Sequence, residues 1–313
     1  MKKIVHLLAG YYREHFSWAA FAGNTLLAAL LTFFAYRHDF YLKAIEYETR
    51  LPVQVCGYVI MYLLAFGGGF LLQSLGEKDF SVFRSGRWWF LLLLTIVLFS
   101  LRGADLPFGE YFFHASQRQY PSLYGKIGYN LGGFALLIVP CFIYWLRVDR
   151  RQQPFYGFHA KGVDLKPYFF LLSLMLPLLL WAGTQQDFLS TYPRYTKIGV
   201  LPGEPSYWSY VSAYLLAYGS DFVFTEFFFR GFVILAFARW FGHRAILPMC
   251  VFYVTIHFGK PLGETISSFF GGLLLGVIAF RTRSIYGGII IHLGIAFLME
   301  LVATIGRAGW LHF

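Results

Sequence analysis

An all-α, polytopic bundle of eight or nine transmembrane helices is the fold this sequence predicts, and three observations predict it. Hydrophobic residues make up 58% of the 313 residues and charged ones 13%, too few charges to cover a soluble surface, where about a quarter is usual. The apolar residues are gathered into runs long enough to cross about 30 Å of hydrocarbon. The basic excess, a formal net charge of +10, falls in the short loops between those runs, as in a chain that flanks acidic lipid and sets its own orientation. The same numbers exclude a disordered chain, a collagen-like repeat and a disulfide scaffold. The placement of Lys and Arg argues against nucleic acid as a partner. Cys56, Cys141 and Cys250 lie inside apolar runs without a spaced pattern, which argues against disulfides and a thiolate metal site.

The elements follow in chain order. Met1-Lys2-Lys3 and the run Ile4–Gly10 are interrupted at Tyr11–His15, and no small-residue cleavage site follows; this predicts a short interfacial helix rather than a signal peptide. Spans are predicted at 17–36, 53–74, 86–102, 127–147, 166–184, 207–238, 243–259, 264–281 and 284–306. Those at 86–102 and 243–259 are short, hence eight or nine. With nine crossings and the N-terminus inside, the inner side collects fifteen Lys and Arg and the outer side ten, with Arg230 within a span; this bias favours an inner N-terminus. The connections at 103–126 and 185–206 are rich in Tyr, Pro and Gly and are expected at the interface. The densest basic cluster, Arg147, Arg150 and Arg151, opens the segment that runs to Pro167 and reads as a solvated or lipid-facing loop. The chain divides into N-terminal spans and loops at 1–206, a chemistry-bearing core at 207–306 and a tail at 307–313.

Ionisable residues inside a span are costly, and each is a functional candidate. Before about residue 200 the spans are almost purely apolar, whereas the later ones carry Asp221, Glu226, Arg230, His257 and His292, with Glu264 and Glu300 near span ends. Glu226 and Arg230 are four apart, about 40° around a helix, and share one face. A buried ion pair that only fixes packing is the competing reading. Two histidines on later spans add the side chain best suited to proton handling near neutral pH. Gly272 and Gly276, with Gly271, read as a close-packing face.

Taken together, Glu226-x-x-x-Arg230-Gly231, Tyr253-x-x-x-His257, a Gly-rich span and His292 resemble the CPBP intramembrane proteases, the ABI or CAAX-protease family that includes the Rce1-type prenyl-protein endopeptidases. The resemblance covers about 207–306. It implies a Glu-Glu-x-x-x-Arg motif whose first Glu acts with the second-motif His on a water, whose second Glu pairs with the Arg, and whose third-motif His and a following Asn or Asp bind the oxyanion. Glu226, Arg230, His257 and His292 match. Thr225 stands where the first Glu would be, and Ala296 where the Asn or Asp would be. A threonine is no general base and an alanine donates nothing. The chain also resembles a subgroup of the family at Glu226–Phe232, at His257–Glu264 and at Arg281–Ser284, which implies that the missing Glu belongs to that subgroup. Glu264, seven residues after His257, is then a second candidate carboxylate, unless it pairs with Lys260 on the surface.

No cofactor is expected. Glu226, His257, His292 and Glu264 would suit zinc, but no His-Glu-x-x-His spacing is present. The resemblance implies an intramembrane endopeptidase, a multi-pass protein of the bacterial cytoplasmic membrane, that hydrolyses a peptide bond of a membrane-anchored or lipid-modified substrate. His257 and a carboxylate (Glu226 or Glu264) would activate water, His292 would stabilise the oxyanion, and Arg230 would orient Glu226. The alternative is a non-catalytic pseudoprotease that scaffolds a membrane protein or lipid. A proton-linked transporter would use the same ionisable groups but lacks an internal repeat.

Overall fold

A computed structural model describes residues 2–104, 106–115, 119–159 and 164–310. Lys161, parts of the connections at 103–126 and 148–167, and the end of the 307–313 tail lie outside the described residues. Among the described residues all regular structure is helical. The helices are α1 (Lys2–His15), α2 (Trp18–Tyr36), α3 (Leu51–Glu77), α4 (Gly86–Gly103), α5 (Phe108–Ala115), α6 (Pro121–Asp149), α7 (Lys166–Ala182), α8 (Gln186–Thr191) and α9 (Tyr207–Glu226). A π-helical stretch, Phe227–Ala236, leads into α10 (Phe237–Phe241), α11 (Ile246–Thr255), α12 (Leu262–Thr282) and α13 (Tyr286–Arg307).

The polytopic helical class stands, but with fewer crossings than the apolar runs suggest. Among the described residues, six helices are long and apolar enough to cross a membrane, or seven if α7 and the segment Gln186–Lys197, bent by 93°, count as one. Of the nine expected spans, 166–184 is that bent case, and two others account for the rest of the difference. The run 243–259 folds as α11, ten residues and about 15 Å long, and every one of its residues is buried. Its hydrophobicity serves a protein interior rather than lipid. The run 207–238 holds Asp221, Glu226 and Arg230 within a short distance, which breaks the apolar stretch, and its second half leaves α-helical geometry for the π-helical one. The division of Lys and Arg between two sides assumed nine crossings and lapses with them.

The chain forms two compact units that interleave along the sequence. The first comprises Met1–Ala104, Cys141–Val163 and Phe227–Tyr286. Ser17 caps α2 by accepting from Ala20 N (3.3 Å), and its hydroxyl donates to Gly76 O (3.2 Å); the missing side chain at Gly76 lets the end of α3 lie directly on Ala20. α11 packs against α2, α3 and α12. Gly272 and Gly276 of α12 face Tyr253, Cys250 and Met249, so these glycines are packing residues. Aromatic rings of Phe66, Phe70, Phe99, Phe229, Phe237 and Phe252 interlock in the centre. α1 is amphipathic: Ile4 and Tyr11 are buried, and Arg281 donates to Glu14 (2.9 Å).

The second unit comprises Asp105–Pro140, Asp164–Glu226 and Gly287–Phe313. α9 and α13 contribute its main cluster, in which Val211, Tyr214, Tyr218 and Ala296 pack with Leu123 and Ile198. A second cluster gathers Leu179, Phe188, Tyr192, Met299 and Val302. Glu300 ties the 185–206 connection to α13, accepting from Arg194 N (2.9 Å) and Tyr195 N (3.2 Å). It is a tether for two backbone amides, which explains a carboxylate at a span end without catalysis.

Candidate functional site

In the second unit, Tyr214, Tyr218, Phe222 and Glu226 recur every four residues along α9, and the stripe ends on Glu226. Tyr218 meets Phe222 edge to face (4.9 Å between centroids), and Phe222 meets the His292 ring the same way (4.8 Å). The imidazole is thereby held against α9. His292 Nδ1 lies 3.0 Å from Glu226 Oε1, with Glu226 0% and His292 15% exposed at the side chain. An ionised carboxylate only accepts, so Nδ1–H is the donor. One helical turn before His292, Gly288 makes room: a Cβ there would overlap Glu226 Oε2. The carboxylate thus enters α13 through a gap that only glycine leaves.

The first unit holds Arg230, His257 and Glu264. Arg230 is 1% exposed, and its guanidinium sits over the Tyr253 ring, 4.0 Å from the centroid; a desolvated contact of that kind stabilises by about 2 kcal/mol. His257 meets the other side of the motif, its ring edge-on to Tyr253 (4.8 Å), and its Nδ1–H donates to Tyr253 O (3.0 Å). Tyr253 therefore orients both Arg230 and His257. The turn after α11 is fixed from α2. Tyr36 Oη donates to Lys260 O, lies 2.7 Å from Thr265 Oγ1, and approaches His257 O at 3.4 Å. Thr265 Oγ1 itself donates to His257 O (2.7 Å). Glu264 accepts from Lys260 Nζ at 2.8 Å, which is the surface pairing weighed against a catalytic role.

The two departures from the family pattern have different surroundings. Thr225 is half-buried on α9. Ala296 is 1% exposed and belongs to the apolar cluster of Val211, Tyr214 and Tyr218, so its place is filled by hydrocarbon packing. Among the described residues, no three or more of His, Cys, Asp and Glu are grouped so that they could hold a metal ion.

Residues 207–298 match the family described as Type II CAAX prenyl endopeptidase Rce1-like. The chain carries an Rce1-like domain. It begins at the first residue of α9 and ends within α13, and so takes in the Glu226–His292 bond, the Arg230–Tyr253–His257 set and Glu264, a little under a third of the chain. The likeness to CAAX proteases is confined to that segment, and the long apolar helices make the chain a multi-pass membrane protein. No curated protein and no solved structure gave a match.

Gly288 and Tyr36 were not legible as parts of these constellations. Gly288 had a faint signal, since it precedes His292 by one helical turn. Tyr36 had none, because it lies more than 200 residues from the turn that it holds.

Proposed function

We propose that the protein is an intramembrane endopeptidase of a bacterial cytoplasmic membrane, hydrolysing a peptide bond in a membrane-anchored or lipid-modified substrate, prenylated chains included. The observation that carries this reading is the buried Glu226–His292 hydrogen bond at 3.0 Å inside the Rce1-like segment. A carboxylate behind an imidazole fixes its tautomer and stabilises positive charge on the ring. His292 is then suited to present Nε2–H to an oxyanion, the role that the motif order gives it. His257 has a neutral carbonyl at Nδ1 instead, which leaves its Nε2 lone pair for a proton. In the reaction, that nitrogen takes a proton from water as the water oxygen bonds to the scissile carbonyl carbon. The C–N bond then breaks, and the proton passes to the departing amine. Arg230 orients by charge, as the motif implies. Of the two carboxylates weighed, Glu226 is the one assigned to the reaction, because Glu264 is engaged by Lys260.

The test is cleavage of a prenylated C-terminal peptide by the purified protein in liposomes. Wild type should release product, and both His292→Ala and His257→Ala should lower the rate about 10²-fold or more. Cleavage unaffected by either change overturns the reading.

Thr225 and the hydrocarbon setting of Ala296 favour a second reading, a non-catalytic scaffold for a membrane protein or lipid. Thr225→Glu discriminates between them: proteolysis that appears only in this variant supports the scaffold. Asn at 296 is unsuited to the purpose, since it would place an amide in the apolar cluster.

A further inference from the structure

The Arg281-Thr282-Arg283-Ser284 stretch and the loop after Asp149 are absorbed by neither reading, and within the first unit they enclose a cleft of about 290 Å³. Its walls are built rather than incidental. Asp149, fully buried, accepts from Tyr156 Oη (2.7 Å), from Gln153 Nε2 (3.2 Å) and from Arg239 Nη1. Arg239 also donates to Val148 O (3.0 Å). Gly157, at φ +84, accepts from Ile285 N (3.1 Å) and lies so close to Ile285 that a side chain there would collide. Loop and Arg283 segment are therefore fixed against each other.

The lining is cationic. Arg239 and Arg283 line the cleft with Gln152 and the apolar Pro154 and Leu235, and no carboxylate does. Asp149 offsets one arginine, which leaves a single positive charge. Among the described residues no carboxylate pairs with Arg283; its guanidinium lies over the face of Phe280, 5.4 Å from the centroid. Desolvation pulls its pKa down, so an anion there would relieve a charge that the protein itself leaves uncompensated. A second observation is independent of charge. Arg283 closes α12 in the left-handed conformation (φ 55, ψ 26), where glycine is favoured and a side chain costs free energy. An arginine kept at such a position points to work for its side chain. The location names the source of the anion: α6 and α12, both long and apolar enough to cross a membrane, end at Asp149 and Thr282, the level at which lipid phosphates lie. Arg150 and Arg151 stand on the next turn, and Trp240, between the guanidinium groups of Arg87 (3.6 Å) and Arg239 (4.2 Å), supplies an interfacial aromatic.

We propose that this cleft binds the phosphodiester of an anionic membrane lipid, with Arg239 and Arg283 as its cationic contacts and Gln152 as a neutral donor. One phosphodiester charge balances the one charge left over.

Binding there requires no catalysis, so it is measured on the full chain in uncharged detergent by native mass spectrometry. The probes are short-chain phosphatidylglycerol, phosphatidylcholine and inorganic phosphate. The expected result is retention of phosphatidylglycerol over phosphatidylcholine, with no comparable binding of inorganic phosphate. Arg283→Gly should weaken phosphatidylglycerol binding about fivefold while leaving the lipid-free unfolding temperature unchanged or higher, because glycine suits that backbone. Gln152→Ala should weaken it less. Equal retention of the two lipids, or undiminished phosphatidylglycerol binding by Arg283→Gly, overturns the proposal. Inorganic phosphate binding as tightly as the lipid overturns it too, and assigns the cleft to a soluble phosphate compound.

Discussion

A carboxylate with no exposed surface is held by the donors it faces, and His292 Nδ1 is one that holds Glu226. Glu226→Gln keeps the shape and the ability to accept from Nδ1–H but removes the charge. In the proposed reaction it should lower peptide cleavage about 10²-fold with little change in unfolding temperature, measured side by side in liposomes and detergent. Gly288→Ala tests the gap rather than the charge. Its methyl group would overlap Glu226 Oε2, so the helix must shift or the carboxylate must leave. A destabilisation of about 1–3 kcal/mol is expected, read by thermal unfolding, together with lost cleavage. A fully stable, active Gly288→Ala would show that the carboxylate does not depend on this opening. The identities of Glu226, Arg230, His257 and His292 were legible because ionisable side chains in apolar runs stand out. Glu264 stood out as well, and its contact with Lys260 favours the surface pairing of its two readings.

At the scale of elements, the ends of helices carry the testable chemistry. Tyr36, the last residue of α2, holds the turn at 257–260 through Lys260 O and Thr265 Oγ1. Tyr36→Phe strips a partly buried carbonyl of its donor and should cost about 1–3 kcal/mol, seen in thermal unfolding, with faster proteolytic nicking near Gly259. After α3, Asp79 accepts from Ser81 N (2.8 Å) and pairs with Arg244. Its bonds to Ser81, and then the Arg244 charge, lower its pKa to about 2. The folded value lies below the ordinary one near 4, so the stabilisation is present above about pH 4 and is lost as pH falls through about 2. Asp79→Asn should therefore narrow the gap in unfolding temperature between neutral and acidic buffer. A gap as wide as that of wild type would show the pairing to be inconsequential. Helix existence was readable from the long apolar runs, and the glycines of α12 from their spacing. The π-helical stretch Phe227–Ala236 was not, since its residues would suit an α-helix equally well.

Across the whole molecule, the native cysteines report on which apolar surface meets lipid. Cys56 is exposed on α3, whereas Cys141 and Cys250 are buried. α3 is one of the helices able to cross a membrane, so the exposed Cys56 is expected to face acyl chains. A membrane-impermeant maleimide should label none of the three in intact liposomes, and an apolar maleimide should label Cys56 alone. Labelling of Cys250 by either reagent before unfolding would contradict the buried setting of α11. Cleavage in the proposed reaction draws on side chains and water, and is expected to persist after treatment with a chelator; its loss and recovery on adding zinc would instead establish a metal.

By itself the sequence determined that the chain lives in a bilayer, that it is helical, and that the ionisable residues of its apolar runs concentrate after residue 207, because burying charge is costly and the few charges placed there mark themselves. Only the tertiary structure decided which apolar runs form helices long enough to cross a membrane and where the Glu226 and Glu264 carboxylates find donors. An apolar run says that a segment avoids water. It does not say whether lipid or protein replaces the water, which is why α11 reads as a span and folds as a short core helix. Helical spacing ranks neighbours on one helix, but Glu226 and His292 are 66 residues apart; their meeting depends on how α9 and α13 pack, and on one glycine that lets the carboxylate in.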